Sequence, residues 1–232
     1  MNKKRLLTVM GGKKKTWSVA FNGTTSSINA GSEASVDDLL TGAVTIECYF
    51  LGNPAIQYPR LFDKTGSSSV GWYVALRSHV DATGYYFNVY TDGSEKSMLI
   101  YNVTANDMKW HHIACTYDNG GDKKRRIYID GNLIGASDAL AGTLNSDASV
   151  SLFAGNRSDG SRCLNGRIGW SRISNSVRYS SNFIPPSRFV YPTVDANTVR
   201  LFKMNEGTGT TITDYSANAQ NGTSYATTWI YT

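Results

Sequence analysis

The sequence has 232 residues, of which 41% are hydrophobic and 12% aromatic, so it can supply the core of one large domain or of two small ones. Its formal net charge is +5, but residues 1–15 hold six basic side chains and no acidic one, which leaves 17 basic against 18 acidic side chains in the rest of the chain. The high isoelectric point therefore belongs to an N-terminal arm, which argues against a nucleic-acid-binding body with its own basic groove.

Residues 1–15 are predicted to form a flexible basic arm with a break at Gly11-Gly12. The apolar stretch of the arm, residues 6–10, is too short for the hydrophobic core of a secretory signal or for a membrane span, so we expect neither export nor membrane insertion. A basic segment of this kind can dock on a partner surface and fold on binding, and it can equally be a merely solubilising terminus. The candidate docking residues are Lys3, Lys4, Arg5, Lys13, Lys14 and Lys15.

After the arm, strand signals follow one another with little interruption. Alternation is clearest in residues 44–51, where Val44, Ile46, Cys48 and Phe50 share one face. Turn residues separate the strands at the spacing of about 8–12 residues that is typical of an all-β sandwich. The predicted strands are residues 17–22, 26–30, 44–51, 60–64, 71–78, 84–91, 98–103, 109–118, 127–131, 133–137, 150–154, 164–173, 198–204 and 225–230.

Two segments between these strands have other predicted structures. Residues 34–40 are predicted to form one short helical turn, because two aspartates stand near its start. The proline-dense segment, residues 184–192, is too short to be a linker between domains and is predicted to be a surface strap. The sequence therefore predicts one domain, residues 16–232, with three buried free thiols at Cys48, Cys115 and Cys163.

The pair of strands at residues 109–118 and 127–131 is joined by a polar loop that contains Asn119-Gly120, a dipeptide that favours the positive φ angles of a hairpin turn. Its sequence resembles the central hairpin of the laminin-G-like, concanavalin A-like jelly-roll domains. Similar motifs of that family are found in the same order at residues 19–28, 164–173, 180–186, 201–211 and 214–223.

This resemblance covers about residues 17–230 and implies a jelly-roll β-sandwich of two antiparallel sheets. It also implies that Trp110 belongs to the core. The sequence departs from the family at Arg167-Ile168-Gly169, because the family usually has an aspartate there, near the edge where ligand or metal is bound.

Hydrolytic chemistry has little support in the sequence. A glucanase on this fold needs two or three carboxylates at alternate positions of one strand, so that they face the groove together. The chain has only four glutamates (Glu33, Glu47, Glu95 and Glu206), and none has an acid two residues away. His111 and His112 are adjacent on a strand, so they point to opposite faces and do not share a metal ion. We therefore expect a protein that is not an enzyme.

Calcium is the one candidate cofactor. Asp214, Ser216 and Asn218 present side-chain oxygens at alternate positions of a loop, with Asn221 following, and oxygen ligands are those that Ca²⁺ prefers. The same residue types are common in ordinary turns, where they bond to their own backbone, so both interpretations remain open at this stage.

Sugar binding requires exposed aromatic rings beside planar polar groups. Trp72, Val74 and Leu76 form an inward face of their strand, which leaves Tyr73 and Arg77 pointing outward. Core packing or protein contact is the alternative for each aromatic side chain. The candidate carbohydrate- or surface-binding residues are Tyr73, Arg77, Tyr86, Asn88, Tyr90, Arg157 and Asp159.

These observations favour a non-catalytic, lectin-like binding or adhesion module. We expect it to be a phage virion surface protein, either a decoration protein or an adhesin, made in the host cytoplasm and anchored through its arm to other virion proteins. The first alternative is a structural assembly protein that binds no sugar. The second is a glycan-active enzyme.

Overall fold

The computed structural model describes residues 14–53, 58–66, 69–79, 82–101, 103 and 107–232. Strands dominate this part of the chain, with one 3-10 turn at Leu39–Thr41. In chain order the strands are β1 (Trp17–Asn22), β2 (Ser27–Asn29), β3 (Ala43–Gly52), β4 (Arg60–Asp63), β5 (Trp72–His79), β6 (Ala82–Thr91), β7 (Ser94–Lys96), β8 (Leu99–Tyr101), β9 (Trp110–Asp118), β10 (Lys124–Ile129), β11 (Asn132–Ala139), β12 (Phe153–Ala154), β13 (Asn165–Ser174), β14 (Thr198–Phe202), β15 (Thr211–Ile212), β16 (Gly222–Tyr225) and β17 (Thr228–Tyr231).

The strands form two antiparallel sheets. The eight-stranded sheet has the order β11-β10-β9-β3-β13-β1-β17, with β14 also paired to β13. The nine-stranded sheet has the order β15-β16-β2-β12-β4-β5-β6-β7, with β8 also paired to β6. Neighbours in each sheet are often distant in sequence, as the pairing of β1 with β13 and β17 shows. This is the two-sheet jelly-roll sandwich that the sequence predicted.

The core lies between the two sheets and follows the alternation of the strands. Val44, Ile46, Cys48 and Phe50 of β3 are at most 1% exposed, and they pack in one cluster with inward residues of β5 and β6. Burying side chains of this size contributes roughly 1.5–3 kcal/mol each before the loss of chain entropy is counted. Cys48, Cys115 and Cys163 are all free and buried, which confirms the prediction of buried thiols.

The outer face of the eight-stranded sheet is covered by the segment of residues 175–197, which we call the strap. The strap contains no strand, and its Phe183 N–H donates to the carbonyl of Gly131 at 2.9 Å. Gly131 has φ +80°, and a Cβ there would lie 1.9 Å from the carbonyl oxygen of Phe183, so the close approach of the strap requires glycine. The Tyr49 hydroxyl donates to the carbonyl of Pro186 at 2.7 Å. The proline-dense segment is therefore a surface strap, as the sequence indicated.

Three features differ from the sequence prediction or lie outside the described residues. Trp110 is on the outer face of β9, not in the core, because alternation along this strand turns Ile113, Cys115 and Tyr117 inward. It is half-buried because the guanidinium of Arg188 in the strap lies 4.5 Å from its ring centroid. The helical turn is shorter than predicted and begins at Leu39. Of the predicted docking residues, Lys3, Lys4, Arg5 and Lys13 lie outside the described residues, as does all of the arm except Lys14 and Lys15. No helix among the described residues is long and apolar enough to cross a membrane.

Candidate functional site

The outer face of the nine-stranded sheet carries the predicted binding residues. On β5, Trp72, Val74 and Leu76 point into the core, so the intervening side chains lie on the outer face. The pairing of β5 with β6 places Tyr73 opposite Asn88 and Ala75 opposite Tyr86. Two strands that are adjacent in sequence therefore bring most of the predicted aromatic and amide groups together.

Tyr73 and Tyr86 help to line a cavity of about 300 Å³, which we call the tyrosine groove. Four of its residues, Tyr73, Tyr86, Tyr90 and Arg157, were predicted from the sequence. The lining residues are Tyr58, Arg60, Tyr73, Tyr86, Tyr90, Glu95, Ser97, Arg157 and Arg162. Three kinds of polar group that bind hydroxyl-rich ligands are therefore present in one cavity: phenols, guanidinium groups and a carboxylate.

A closed hydrogen-bond network forms the floor of the groove. Both the Tyr73 hydroxyl, at 2.7 Å, and the Asn88 amide donate to Glu95 Oε1, while the Tyr90 hydroxyl donates to Glu95 Oε2 at 3.0 Å. The side-chain amide oxygen Oδ1 of Asn88 accepts from the Met98 N–H at 2.9 Å. Asn88 is fully buried, so it supports the groove from below and does not face a ligand.

Tyr73 is on the outer face, as predicted, but it is not exposed. Its side chain is 6% exposed because the guanidinium of Arg60 lies 3.5 Å from its ring centroid. Arg60 is itself held by a 2.8 Å ion pair with Asp63. The Tyr73 ring therefore does not offer the exposed stacking surface that the sequence predicted, and Arg60, which covers it, is itself only 6% exposed.

Tyr86 and Tyr58 form the accessible aromatic wall of the groove. Both are partly exposed, and their ring centroids are 5.7 Å apart in an edge-to-face arrangement. Partial burial raises the pKa of Tyr86 and of Tyr90, so their hydroxyls remain protonated donors near neutral pH. Arg77 does not line the groove. Its guanidinium lies over the ring of Tyr101, 4.8 Å from the centroid.

Arg157 forms one end of the groove and is fixed by Asp159. The Arg157 Nε donates to Asp159 Oδ2 at 3.0 Å, and a second guanidinium nitrogen bonds to the same oxygen. The other carboxylate oxygen of Asp159 accepts from the hydroxyl of Ser161 at 2.7 Å. The hydrogen bonds from Arg157 hold the pKa of Asp159 well below its usual range. The pair is therefore a fixed, charge-compensated plate at the rim.

A second cavity of about 420 Å³ adjoins this plate, and we call it the tip cavity. Arg157 lines both cavities, whereas Tyr225 lines only the tip cavity and is 66% exposed. The described lining residues of the tip cavity are Thr24, Thr25, Ser27, Asn156, Arg157, Ser158, Asp159, Gly160 and Tyr225.

The sequence interpretation did not include Tyr58, Arg60, Glu95 or Tyr225 among the binding residues. Alternation alone does not place Arg60 on the outer face, because the pairing of β4 with β5 shifts register between Arg60 and Phe62. Residues 85–95 contain two acids, Asp92 and Glu95, among three tyrosines, and buried phenols need an acceptor, so the sequence carries a signal for an acidic partner without distinguishing Glu95 from Asp92.

The tyrosine groove lacks a pair of carboxylates among its described lining residues, where Glu95 is the one acid. Both oxygens of Glu95 already accept hydrogen bonds from floor side chains. Glycoside hydrolysis by the usual route needs two carboxyl groups that flank the bond. The described groove therefore provides contacts suited to binding and no acid–nucleophile pair.

The residues predicted to bind calcium have other partners. Asp214 is 4% exposed, and its Oδ2 accepts from a guanidinium nitrogen of Arg200 at 3.0 Å and from the Ser216 hydroxyl at 2.7 Å. Its Oδ1 accepts from the Leu201 N–H, and the Asn218 amide donates to a backbone carbonyl. A guanidinium thus occupies the position where a cation would bind. These oxygens are used to hold a turn, which argues against the calcium interpretation.

A laminin G family model, described as the concanavalin A-like lectin/glucanases superfamily, matches residues 14–182. No curated protein matches the chain. A candidate carbohydrate-binding protein from Bacteroides ovatus is similar in structure, with a TM-score of 0.66 and 16% identity, and the match covers 94% of this chain and 60% of that protein. This chain therefore spans less than two thirds of the length of the Bacteroides ovatus protein.

Two smaller proteins also share the fold. A carbohydrate-binding module of the Ruminococcus gnavus IT-sialidase, bound to α2,3 sialyllactose, has a TM-score of 0.51 and 12% identity, and the match covers 72% of this chain and 93% of the module. A pentraxin from Limulus polyphemus has a TM-score of 0.51 and 11% identity, and the match covers 69% of this chain and 76% of the pentraxin. At these identities the likeness shows the fold alone.

Proposed function

The chain belongs to the concanavalin A-like lectin/glucanases superfamily, and from that premise we propose that it is a non-catalytic, lectin-like module that binds glycans in the tyrosine groove. One observation carries the proposal: partly exposed tyrosine rings, fixed guanidinium groups and a carboxylate line one open cavity on the sheet face that the strap does not cover. Aromatic rings supply apolar stacking surface for a sugar, and the planar polar groups bond its hydroxyls.

The charge of the groove helps to define its ligand. Arg60 is paired with Asp63 and Arg157 with Asp159, so two of its guanidinium groups are already compensated. Glu95 receives the hydroxyl and amide donors of the floor. Compensated groups still offer donors and acceptors to hydroxyls but exert little net field. The α2,3 sialyllactose held by the Ruminococcus gnavus module is a useful acidic ligand to test beside neutral glycans.

The test is a glycan array followed by calorimetry on the glycans that bind. Replacing Tyr86 by Ala removes an accessible ring, and we expect the affinity to fall about tenfold, since an aromatic contact contributes up to roughly 1.5 kcal/mol beyond burial. Tyr231→Ala is the matched control, because Tyr231 is 54% exposed at the edge of the other sheet. Equal losses in both variants, or a blank array, would refute glycan binding in the groove.

We also propose the biological setting that the sequence favours: display on a phage particle as a decoration protein or adhesin, with the basic arm anchored to other virion proteins. The support is the concentration of six basic side chains, with no acidic one, in residues 1–15. Deleting residues 1–15 should abolish association with particles and leave the melting temperature of the body unchanged. Association that survives the deletion would overturn the anchoring proposal.

The alternative is a structural assembly protein without a sugar ligand. It would be favoured by a blank array combined with loss of particle association when the arm is deleted. A glycan-active enzyme is the least supported alternative, because the described lining residues of the groove include a single carboxylate.

A further inference from the structure

The tyrosine groove and the tip cavity lie on one face and share Arg157. The pairing registers connect them across the sheet. Tyr225 of β16 pairs with Ser27 of β2, and at the other end Arg60 of β4 pairs with Ala75 of β5, which pairs with Tyr86 of β6. Between these ends, β12 joins β2 to β4. Tyr225 and Tyr86 thus stand near the two ends of one row that crosses the sheet.

The length of this row sets the size of ligand that can use both ends. From β16 to β6 the sheet order is β16-β2-β12-β4-β5-β6, which is five strand spacings. At about 4.8 Å per spacing, the two tyrosines are separated by about 24 Å in the hydrogen-bonding direction of the sheet. One hexopyranose ring, built from single bonds of about 1.5 Å, covers only a fraction of that distance.

The middle of the row is open and polar. Arg157 and Asp159 form the plate between the cavities, and their side chains are 26% and 35% exposed. Because each charge is compensated by the other, the plate offers fixed donors and acceptors without a strong net field. Such a surface suits the hydroxyls of an uncharged sugar residue that passes over it.

Tyr225 supplies an aromatic surface at the far end of the row. It is 66% exposed, more than any other aromatic side chain in the described part of the chain, and it stands beside the hydroxyl-bearing side chains of the tip cavity. Core packing does not account for a ring with this exposure.

We propose that the ligand is a saccharide chain several residues long that occupies both cavities, stacking one residue on Tyr86 and another on Tyr225 and crossing the Arg157–Asp159 plate between them. This inference rests on the proposed glycan-binding function and adds the class of ligand: an internal segment of an oligo- or polysaccharide rather than a single terminal sugar.

The experiment uses an array of neutral oligosaccharides graded from one to ten residues and prepared from starch, cellulose, xylan, mannan and galactan, with calorimetry on the ladder that binds. Full-length protein is compared with Tyr86→Ala, Tyr225→Ala and the control Tyr231→Ala, each checked by its melting temperature. We expect affinity to rise with chain length and then level off. Tyr225→Ala should lower the affinity for long chains about tenfold and leave the shortest bound chain unchanged, whereas Tyr86→Ala should lower the affinity for every length.

The two proposals fail differently. If binding depends on Tyr86 but is maximal for a single residue, or if Tyr225→Ala has no effect at any length, the extended site is wrong and glycan binding stands. If none of the ladders binds, and the wider glycan array is also blank, both proposals are overturned.

Discussion

Replacing Glu47 by Gln tests whether buried charge beneath the strap stabilises the sandwich. Glu47 is fully buried on β3, opposite Arg172 of β13, and its Oε1 accepts from Arg172 Nε at 2.7 Å. Its Oε2 accepts from His112 Nε2 at 3.1 Å and from the Tyr179 hydroxyl at 3.0 Å. The His112 tautomer with a proton on Nε2 is inferred from this contact, since an ionised carboxylate only accepts.

The expected loss follows from what remains after the change. Arg172 is 7% exposed, so without the carboxylate its guanidinium stays buried without an opposite charge. Removing one partner of a buried ion pair costs roughly 3–5 kcal/mol, and we expect about 3 kcal/mol because the Gln oxygen still accepts one hydrogen bond. For a domain of this size, that loss lowers the melting temperature by about 6–12 °C.

The pH dependence gives a second measure. Burial alone raises the pKa of Glu47, but the hydrogen bond from His112 and the charge of Arg172 outweigh it, so the folded-state pKa lies below its ordinary value. A carboxyl with a lowered folded pKa contributes stability that is present above its unfolded pKa, near 4.3, and is lost as the pH falls through the folded value. The difference in free energy of unfolding between wild type and Glu47→Gln should therefore shrink below about pH 4.

Urea unfolding of wild type, Glu47→Gln and a matched control supplies the assay. The control is Glu33→Gln, because Glu33 is 35% exposed and its partner Arg200 still has an ion pair with Asp214, 3.0 Å from guanidinium nitrogen to carboxylate oxygen. We expect the control substitution to lower the free energy of unfolding by at most about 1 kcal/mol. The role assigned to the buried network would be refuted if Glu47→Gln lost no more unfolding free energy than Glu33→Gln. It would also be refuted if the difference in unfolding free energy between wild type and Glu47→Gln did not change at acid pH.

Three further results are expected. Gly155→Ala should lower the free energy of unfolding in urea more than Gly209→Ala does. Both glycines have positive φ, but only at Gly155 would a Cβ meet a core ring, that of Phe21 at 1.9 Å. Equal losses of unfolding free energy in the two variants would contradict the clash. Hydrogen bonds that the His111 ring donates to the carboxylates of Asp130 and Asp107 raise the pKa of His111, so the stability it contributes is complete below the unfolded value near pH 6.5 and is lost as the pH rises through the folded value. The difference in melting temperature between wild type and His111→Gln over pH 5–9 should show that loss, and a constant difference would contradict it. Because the oxygens of Asp214 already accept from protein donors, millimolar calcium or EDTA should leave the melting temperature unchanged, and a calcium-dependent rise would reinstate the calcium site.

Local patterns in the sequence were sufficient for most of the fold. The alternation of Val44, Ile46, Cys48 and Phe50 placed β3 in the core, and the polar loop that contains Asn119-Gly120 located the central hairpin. The positive φ that was expected at Asn119-Gly120 is found instead at Lys123, where φ is +55°. Short edge elements such as β7 and β15 were missed, because two or three residues do not establish a period. The bulge that shifts register between Lys124 and Arg126 is likewise set by the partner strand.

The binding site was only partly predictable, because alternation says which face a side chain lies on and not what covers it. Tyr73 was placed correctly on the outer face, yet Arg60, thirteen residues earlier, lies over its ring. Tyr225 joins the same face only through the pairing of β16 with β2, two strands that are nearly 200 residues apart in sequence. Such contacts depend on long-range register, which a single sequence does not encode locally.

The strap decides which face of the sandwich is available for binding. Both outer faces carry aromatic and charged side chains, but residues 175–197 cover that of the eight-stranded sheet, where Tyr179 stacks on Phe183 with 3.5 Å between ring centroids. Beneath the strap, hydrogen bonds to Glu47 and His112 are made within the protein, which leaves little for a ligand. On the nine-stranded sheet no comparable segment lies over the described groove, and partly exposed rings remain beside compensated guanidinium groups. Cutting or loosening the strap should therefore weaken folding without creating a second glycan site, whereas changes at Tyr86 should weaken binding without affecting folding.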